Sequence, residues 1–192
     1  MFTKVHTKVL EVECGLPDAQ FNAGTMQAVG IFNQTTFTPV ITSYQAIGAS
    51  MYSTGSGRSL LDMSTTFTSN NSLGAVLNSR TVSSAWCNCT ITSEADAVIN
   101  SLHYYYWSDS VAYQKKVRYI DLYRIENGNY ILHQTFSTSA PYIGGPINQL
   151  LVLTKPIQFK GTIALRVVAR TSWGDPYILV GEIFIKGFTL SA

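Results

Sequence analysis

Hydrophobic and polar residues alternate along much of the chain with the period of two that is typical of half-buried β-strands. The clearest stretch runs from Lys116 to Ile125. It is followed by Asn127-Gly128, a strong signal for a tight hairpin turn, and then by Tyr130 to Phe136 as a returning strand. We therefore predict a β-hairpin over residues 116–136.

The same alternation predicts a second hairpin at the end of the chain. From Thr162 to Thr171, every second residue is apolar, while Arg166 and Arg170 fall on the opposite face. Ser172 to Pro176 is a cluster of turn residues, and Tyr177 to Leu190 is the predicted return strand.

The segments between and before these hairpins are shorter. Ser137 to Gln149 is predicted to be a loop because it contains Pro141, Gly144, Gly145 and Pro146, and Leu150 to Thr154 a short strand that Pro156 ends. Ser93 to Ile99 is predicted to form one short helix, with Ser93 as its N-cap.

Further strands are predicted in the first half, over Lys4–Glu13, Thr25–Asn33, Thr36–Ile47 and Thr81–Thr92. The total is about eight to ten strands. Short strands, polar turns and the absence of a linker-like segment predict a single domain over residues 1–192, an all-β antiparallel β-sandwich. A jelly roll is the favoured arrangement, and an immunoglobulin-type sandwich is the alternative.

Composition narrows the classes of function. Only 12% of the 192 residues are charged, while Thr, Ser and Asn together make up 49 residues. A hydrophobic content of 46% excludes a disordered chain, and a net charge of +2 argues against nucleic-acid binding. Lys115, Lys116, Arg118 and Arg124 would form a phosphate-binding stripe or, more simply, a solvated face. No apolar run is long enough to predict a membrane span.

No catalytic, metal or cofactor site is predicted. Cys14, Cys87 and Cys89 have no partner residues at the spacings of a metal site and are interpreted as small buried hydrophobic residues. The three histidines, His6, His103 and His133, stand in no recognisable catalytic motif. We therefore expect a protein that is not an enzyme.

Exposed aromatic residues are the candidate contact sites. In the run from His103 to Trp107, Tyr105 and Trp107 share one face of a predicted strand, and Trp173 stands at a predicted turn. Large rings with a polar tip suit protein interfaces and sugar stacking. Tyr105, Trp107 and Trp173 are therefore predicted to form an interface or a glycan platform, with ordinary core and cross-strand packing as the alternative.

The C-terminal runs Phe159–Val168, Gly174-Asp175 and Tyr177–Ile185 resemble the closing strands of single jelly-roll virion proteins, such as capsid vertex (penton) and spike proteins. The resemblance implies a structural capsid component that assembles as a pentamer or trimer, contacts other coat proteins and resides in the virion. It carries over no catalytic residue. No signal peptide is apparent, which fits synthesis in a host cytoplasm.

Two further expectations concern a subunit interface and an alternative function. The uncharged run from Ala19 to Gly57 is the predicted surface between subunits, since it can be buried without desolvating charge. The alternative function is a carbohydrate-binding module or lectin, or a receptor-binding spike domain, that uses the exposed aromatic residues to bind a glycan.

Overall fold

A computed structural model of the chain describes residues 35–46, 61, 76–78, 84–108, 116–139, 145–174, 177–179 and 181–190. Apart from Thr35, all of them belong to one compact unit, Thr36–Ala192. Several features predicted from the sequence lie outside the described residues, namely the strands at 4–13 and 25–33, Cys14 and most of the Ala19–Gly57 run. The single-domain organisation therefore stays a prediction.

The described residues form nine β-strands. Their bounds are β1 (Thr35–Thr36), β2 (Val40–Ala46), β3 (Val76–Asn78), β4 (Ser84–Ser108), β5 (Val117–Glu126), β6 (Asn129–Ser137), β7 (Gly145–Ser172), β8 (Tyr177–Leu179) and β9 (Glu182–Thr189). The main sheet contains the path β9-β4-β7-β5-β6, with β2 also paired to β4, and β3 and β8 form a separate pair. The predicted all-β antiparallel β-sandwich is confirmed. No helix among these residues is long and apolar enough to cross a membrane.

The centre of the main sheet is the antiparallel pairing of its two longest strands, β4 and β7. Their register runs from Ser84 opposite Arg170 to Ser108 opposite Gly145. β2 pairs with the first half of β4, β9 pairs with the second half, and β5 pairs with the end of β7. Both faces of the sheet are therefore set by this one ladder, because residues directly opposite each other point to the same side.

A bulge replaces the helix that was predicted over Ser93–Ile99. Between the pairs Ser93–Gly161 and Ala97–Phe159, β4 has three residues where β7 has one. The Ser93 hydroxyl donates to the carbonyl oxygen of Ala95 at 2.8 Å. The helix prediction is wrong because the polar residues that resemble a helix cap satisfy the backbone of a bulge instead.

A second irregularity lets β7 pass through Pro156. Between the pairs Ile99–Ile157 and Ser101–Val152, β7 has four residues where β4 has one. Pro156 lies in this stretch, so its missing N–H removes no bond of the β4–β7 ladder. The predicted end of the strand at Pro156 is wrong for this reason, and residues 145–149 of the predicted loop belong to β7.

The two predicted hairpins have different outcomes. The first is confirmed, since β5 and β6 pair across a turn in which Asn127 and Gly128 both have positive φ, at 51° and 80°. The second is wrong. β7 lies between β4 and β5, whereas β9 pairs with the second half of β4 and β8 pairs with β3.

Side chains of β6 also bind the backbone of β7. The Gln134 amide donates to the carbonyl oxygen of Val152 at 3.1 Å and accepts from the N–H of Thr154 at 2.8 Å. These are the two hydrogen bonds that a neighbouring strand would supply.

The apolar core lies inside the sandwich and includes Cys87, Cys89, Leu102, Tyr104, Ile120, Leu122, Leu165, Val167, Ile183 and Ile185.

Two of the predicted small hydrophobic residues are found in this core. Cys87 and Cys89 are buried and carry free thiols. Burial raises the pKa of each thiol to about 12. Neither is therefore a thiolate at neutral pH, which agrees with a packing role.

One lysine is also buried. Lys116 is fully enclosed, and its ammonium group donates to the carbonyl oxygen of Ser139 at 2.7 Å and to the Ser139 hydroxyl at 3.0 Å. It lies 5.8 Å from the ring centroid of Tyr104, whose own pKa is raised by burial. Loss of solvation lowers the pKa of Lys116 to about 8.

The buried lysine predicts a contribution to stability that rises with pH. The Lys116 pKa is about 8 in the folded chain, against an ordinary value of 10.5. Between these values the unfolded chain retains a proton that the folded chain has released. Relative to Lys116→Met, the wild type should therefore gain up to about 3 kcal/mol of unfolding free energy between pH 8 and pH 10.5. Urea unfolding of both proteins across this range measures the difference, which removes the opposing effect of the buried Cys87 and Cys89 thiols. Equal pH slopes in the two proteins would contradict it.

A candidate binding face of arginine and aromatic side chains

One outer face of the main sheet carries several arginine and aromatic residues. Cys87, Val167 and Ile120 point into the core, so their neighbours along β4, β7 and β5 point to the other side. We call this surface the arginine–aromatic face. It comprises Trp86 and Asn88 on β4, Arg166 and Arg170 on β7, Tyr119 and Asp121 on β5, and Tyr130 on β6.

The Arg166 guanidinium lies between two aromatic rings. Its central carbon is 3.9 Å from the ring centroid of Trp86 and 3.6 Å from that of Tyr130. Tyr130 remains 47% exposed, so one side of this arrangement is open to solvent. Two cation–π contacts to one planar cation hold all three side chains together. We call this group the Trp86–Arg166–Tyr130 stack.

Hydrogen bonds extend the stack to β2. Arg166 Nε donates to Asn88 Oδ1 at 2.6 Å, and Asn88 Nδ2 donates to Ser43 Oγ at 2.9 Å. The cross-strand pairs Asn88–Arg166 and Ser43–Asn88 place the three side chains in one row across the sheet. The hydrogen bond to Asn88 therefore fixes the orientation of the Arg166 guanidinium relative to the two rings.

Arg170, four residues further along β7, is bound differently. Its Nε and Nη2 both donate to the Asp121 carboxylate, with 2.9 Å between Nη2 and Oδ1. Asp121 is almost fully buried and also accepts from the Thr135 hydroxyl at 2.7 Å. The hydrogen bond to Asp121 raises the pKa of Arg170. This bidentate pair compensates a buried carboxylate and has a structural role.

Trp173, one of the three aromatic residues predicted from the sequence, lies where β7 ends. Its indole N–H donates to Thr138 Oγ1 at 3.1 Å. The guanidinium carbon of Arg118 is 5.0 Å from the Trp173 ring centroid and 5.2 Å from that of Tyr119. Trp173 is half-buried, so part of its ring is accessible.

Tyr105 and Trp107 lie at the other end of the β4–β7 ladder. Tyr105 pairs with Asn148, far along β7 from Arg170, which is the last β7 residue of the β4–β7 register before Trp173. The Tyr105 ring centroid is 4.7 Å from that of His103 and 5.1 Å from that of Phe184. Trp107 belongs to β4, but its side chain lies outside the described residues. The structure therefore does not bring Trp173 together with Tyr105.

The three described residues of the predicted basic cluster do not form a stripe, and Lys115 lies outside the described residues. Lys116 is buried, and Arg124 pairs with Glu126 at 3.1 Å. Arg118 alone of these described residues is exposed. Within the described part of the chain, no group of three or more His, Cys, Asp or Glu residues is placed to hold a metal ion.

Sequence reasoning missed Trp86 and Tyr130 as site residues and assigned Arg166 only to a polar strand face. The stack joins residues from β4, β6 and β7, and Trp86 is 80 positions from Arg166. The available signal was an aromatic or arginine residue on the polar side of each predicted strand. These residues could not be assigned to one site, because the sequence does not give the register between the strands.

Comparisons with known proteins bear on the fold. No protein-family model and no curated protein matches the chain. Among solved structures, an F5/8 type C domain from Bacteroides fragilis matches 81% of this chain and 99% of its own, at 12% identity and a TM-score of 0.48. A family 32 carbohydrate-binding module of Clostridium perfringens NanJ matches 80% of this chain and 98% of its own, at 10% identity and a TM-score of 0.46. A family 62 carbohydrate-binding module of Clostridium thermocellum Xyl5A matches 82% of this chain and 99% of its own, at 13% identity and a TM-score of 0.47.

These matches correct the resemblance drawn from the C-terminal strands. The similar structures are F5/8 type C and carbohydrate-binding domains, not viral coat proteins. The predicted capsid vertex or spike role and the virion localisation are therefore wrong, and the pentamer or trimer with coat-protein partners is without support. The physical reason is that alternating apolar and polar residues in closing strands are common to antiparallel sheets and do not distinguish one sandwich from another.

The two arginines of the face are expected to differ in their effect on stability. Arg170→Met leaves the buried Asp121 carboxylate without a cation, and we expect it to lower the free energy of unfolding by about 3 kcal/mol. Arg166→Met removes contacts with two rings and a neutral amide, and a loss of about 1 kcal/mol is expected. Urea denaturation measures both values.

A double variant provides the control for this comparison. Asp121→Asn in the Arg170→Met background removes the uncompensated charge and should recover part of the loss. Equal destabilisation by the two arginine variants, or no recovery in the double variant, would contradict the different roles assigned to Arg166 and Arg170.

Proposed function

We propose that this protein is a non-catalytic carbohydrate-binding module that binds glycans on the arginine–aromatic face. The observation that carries the proposal is the Trp86–Arg166–Tyr130 stack, in which two aromatic rings are held in place on an outer sheet face. A pyranose ring has a face of C–H groups that packs against an aromatic ring, and the area buried provides much of the binding energy.

The stack is preorganised for such a contact. An isolated surface tryptophan or tyrosine loses side-chain freedom when it binds a ligand, and this lowers its affinity. Here the Arg166 guanidinium contacts both rings, while Asn88 and Ser43 hold the guanidinium in turn. The cost of ordering the rings is met when the chain folds, so more of the stacking energy remains for a ligand.

Polar groups next to the rings support the same function. Sugar hydroxyls need hydrogen-bond partners in fixed positions, and a guanidinium presents several N–H donors in one plane. The side chains of Arg166, Asn88 and Ser43 form a polar row beside Trp86. Aromatic area combined with a few fixed polar groups is the usual composition of a small-molecule site.

Of the aromatic residues identified from the sequence, Trp173 is proposed as a further glycan contact, separate from Tyr105 and Trp107. Trp173 is fixed by Thr138 and Arg118 at one end of the β4–β7 ladder, and Tyr105 and Trp107 belong to the other end. The specific observation in favour of Trp173 is that a cation and a hydroxyl orient its half-buried ring, as in the stack. Glycan contact at Trp173 would extend the site along the strand ends.

Removing either ring of the stack is expected to weaken glycan binding. A broad glycan array identifies a ligand, and titration calorimetry then compares the wild type with Trp86→Ala and Tyr130→Ala. We expect each variant to lose affinity by at least about tenfold, because the stacking area is removed. Thermal unfolding of each variant establishes that it remains folded.

Tyr44 offers a matched control for Tyr130. It is 46% exposed, against 47% for Tyr130, but it lies opposite Cys87 on β2 and therefore on the other side of the sheet. Tyr44→Ala removes a similar exposed ring and should leave the affinity unchanged. The proposal fails if the array shows no binding, or if Tyr44→Ala weakens binding as much as Tyr130→Ala.

A further inference from the structure

The charge of Arg166 has no anionic partner within the described part of the chain. The ion pairs found there are Arg124–Glu126, Lys160–Asp96 and Arg170–Asp121. Among the described residues, Arg166 contacts the neutral Asn88 amide and two neutral rings. Arg166 and Arg170 therefore share a strand and a face, but within that part of the chain only Arg170 is paired with a carboxylate.

The geometry of the stack determines how a ligand can approach this charge. The rings of Trp86 and Tyr130 both lie against the guanidinium, with their centroids 3.9 Å and 3.6 Å from its central carbon. Asn88 accepts from Nε, and no described residue accepts a hydrogen bond from Nη1 or Nη2. The remaining donors lie in the plane of the guanidinium, so an acceptor must approach them from its edge.

An acceptor that meets this condition is planar and anionic. A carboxylate can receive two parallel N–H···O bonds from the edge of a guanidinium, and such charge-assisted pairs are stronger than bonds to neutral hydroxyls. The adjacent rings displace part of the water around such a pair, which strengthens its electrostatic attraction. A sugar that carries a carboxylate would place its ring against Tyr130 or Trp86 at the same time.

We propose that the Trp86–Arg166–Tyr130 stack selects acidic sugars, with Arg166 binding the sugar carboxylate through its Nη groups. This inference rests on the proposed function, since it names the class of glycan that the same site recognises. Asp121 does not compete for Arg166, because its carboxylate is already bound by Arg170 and Thr135. Glu126 is likewise paired with Arg124.

The experiment uses pairs of oligosaccharides that differ only in a carboxyl group. Uronic-acid oligosaccharides are compared with the neutral products obtained when each carboxyl group is reduced to a primary alcohol. We expect the acidic member of a pair to bind at least about tenfold more tightly. The preference should fall as salt is added, because the interaction is partly between exposed charges.

Substitutions at Arg166 identify the group responsible. Arg166→Lys keeps the charge but loses the planar pair of donors and the guanidinium that orders the rings. We expect it to weaken binding of both sugars, but the acidic one more, so that the preference for the acidic sugar falls about tenfold. Lys160→Gln is the control for net charge, because Lys160 lies exposed on β7 with a pair distance of 4.0 Å to Asp96. It should leave both affinities unchanged. Arg166→Gln, which also removes one charge, should weaken binding of the acidic sugar at least as much as Arg166→Lys. An equal loss in Lys160→Gln and Arg166→Gln would overturn the proposal.

The outcomes separate this inference from the proposed function. If both members of each pair bind equally, or the neutral member binds better, the selection for acidic sugars is wrong and the glycan-binding function stands. If sulfated neutral sugars or single-stranded oligonucleotides bind in preference to carboxylated sugars, the carboxylate assignment is also wrong. If no glycan binds at all, the proposed function itself fails.

Discussion

The antiparallel ladder between β4 and β7 is the interaction on which the rest of the structure depends. It joins Ser84–Ser108 to Gly145–Ser172 and provides the edges to which β2, β5 and β9 attach. Because side chains alternate between faces, a shift of one residue would exchange the core and the surface along a strand. Cys87 and Val167 would move outwards, and Trp86 and Arg166 would enter the core.

The bulges allow one ladder to serve both parts of the sandwich. The extra residues at Glu94–Asp96 in β4 and Leu153–Pro156 in β7 change the register within the pair. Before them, the outer face carries the Trp86–Arg166–Tyr130 stack, and beyond them it carries His103 and Tyr105. The candidate site therefore depends on strand register as much as on the side chains themselves, and it is built on strands rather than loops.

Local patterns were predictable, whereas distant pairings were not. The β5–β6 hairpin was correctly predicted because Asn127-Gly128 and the flanking alternation lie within a few residues of one another. The closing hairpin was wrong because the partners of β7 lie on β4 and β5, and short-range alternation does not identify them. The apparent helix at Ser93–Ile99 was a bulge whose polar residues resemble a helix cap.

The candidate site was less predictable for the same reason. Tyr105, Trp107 and Trp173 were chosen because they stand out in their own segments, whereas the Trp86–Arg166–Tyr130 stack appears only once three strands are in register. The contrast between Arg166 and Arg170 shows how much depends on this register. The two residues look equivalent in an alternating strand, but Arg170 faces a buried carboxylate and Arg166 faces a neutral amide.

The central claim is that the stack forms the ligand contact, and NMR titration tests it most directly. The Trp86 indole N–H and the Arg166 Nε–H give separate signals, which can be assigned with single substitutions. On addition of an acidic oligosaccharide, we predict saturable shifts of both signals with one common dissociation constant. If neither signal moves while the Trp173 indole N–H shifts, glycan contact occurs at the strand ends and the stack is not the binding site.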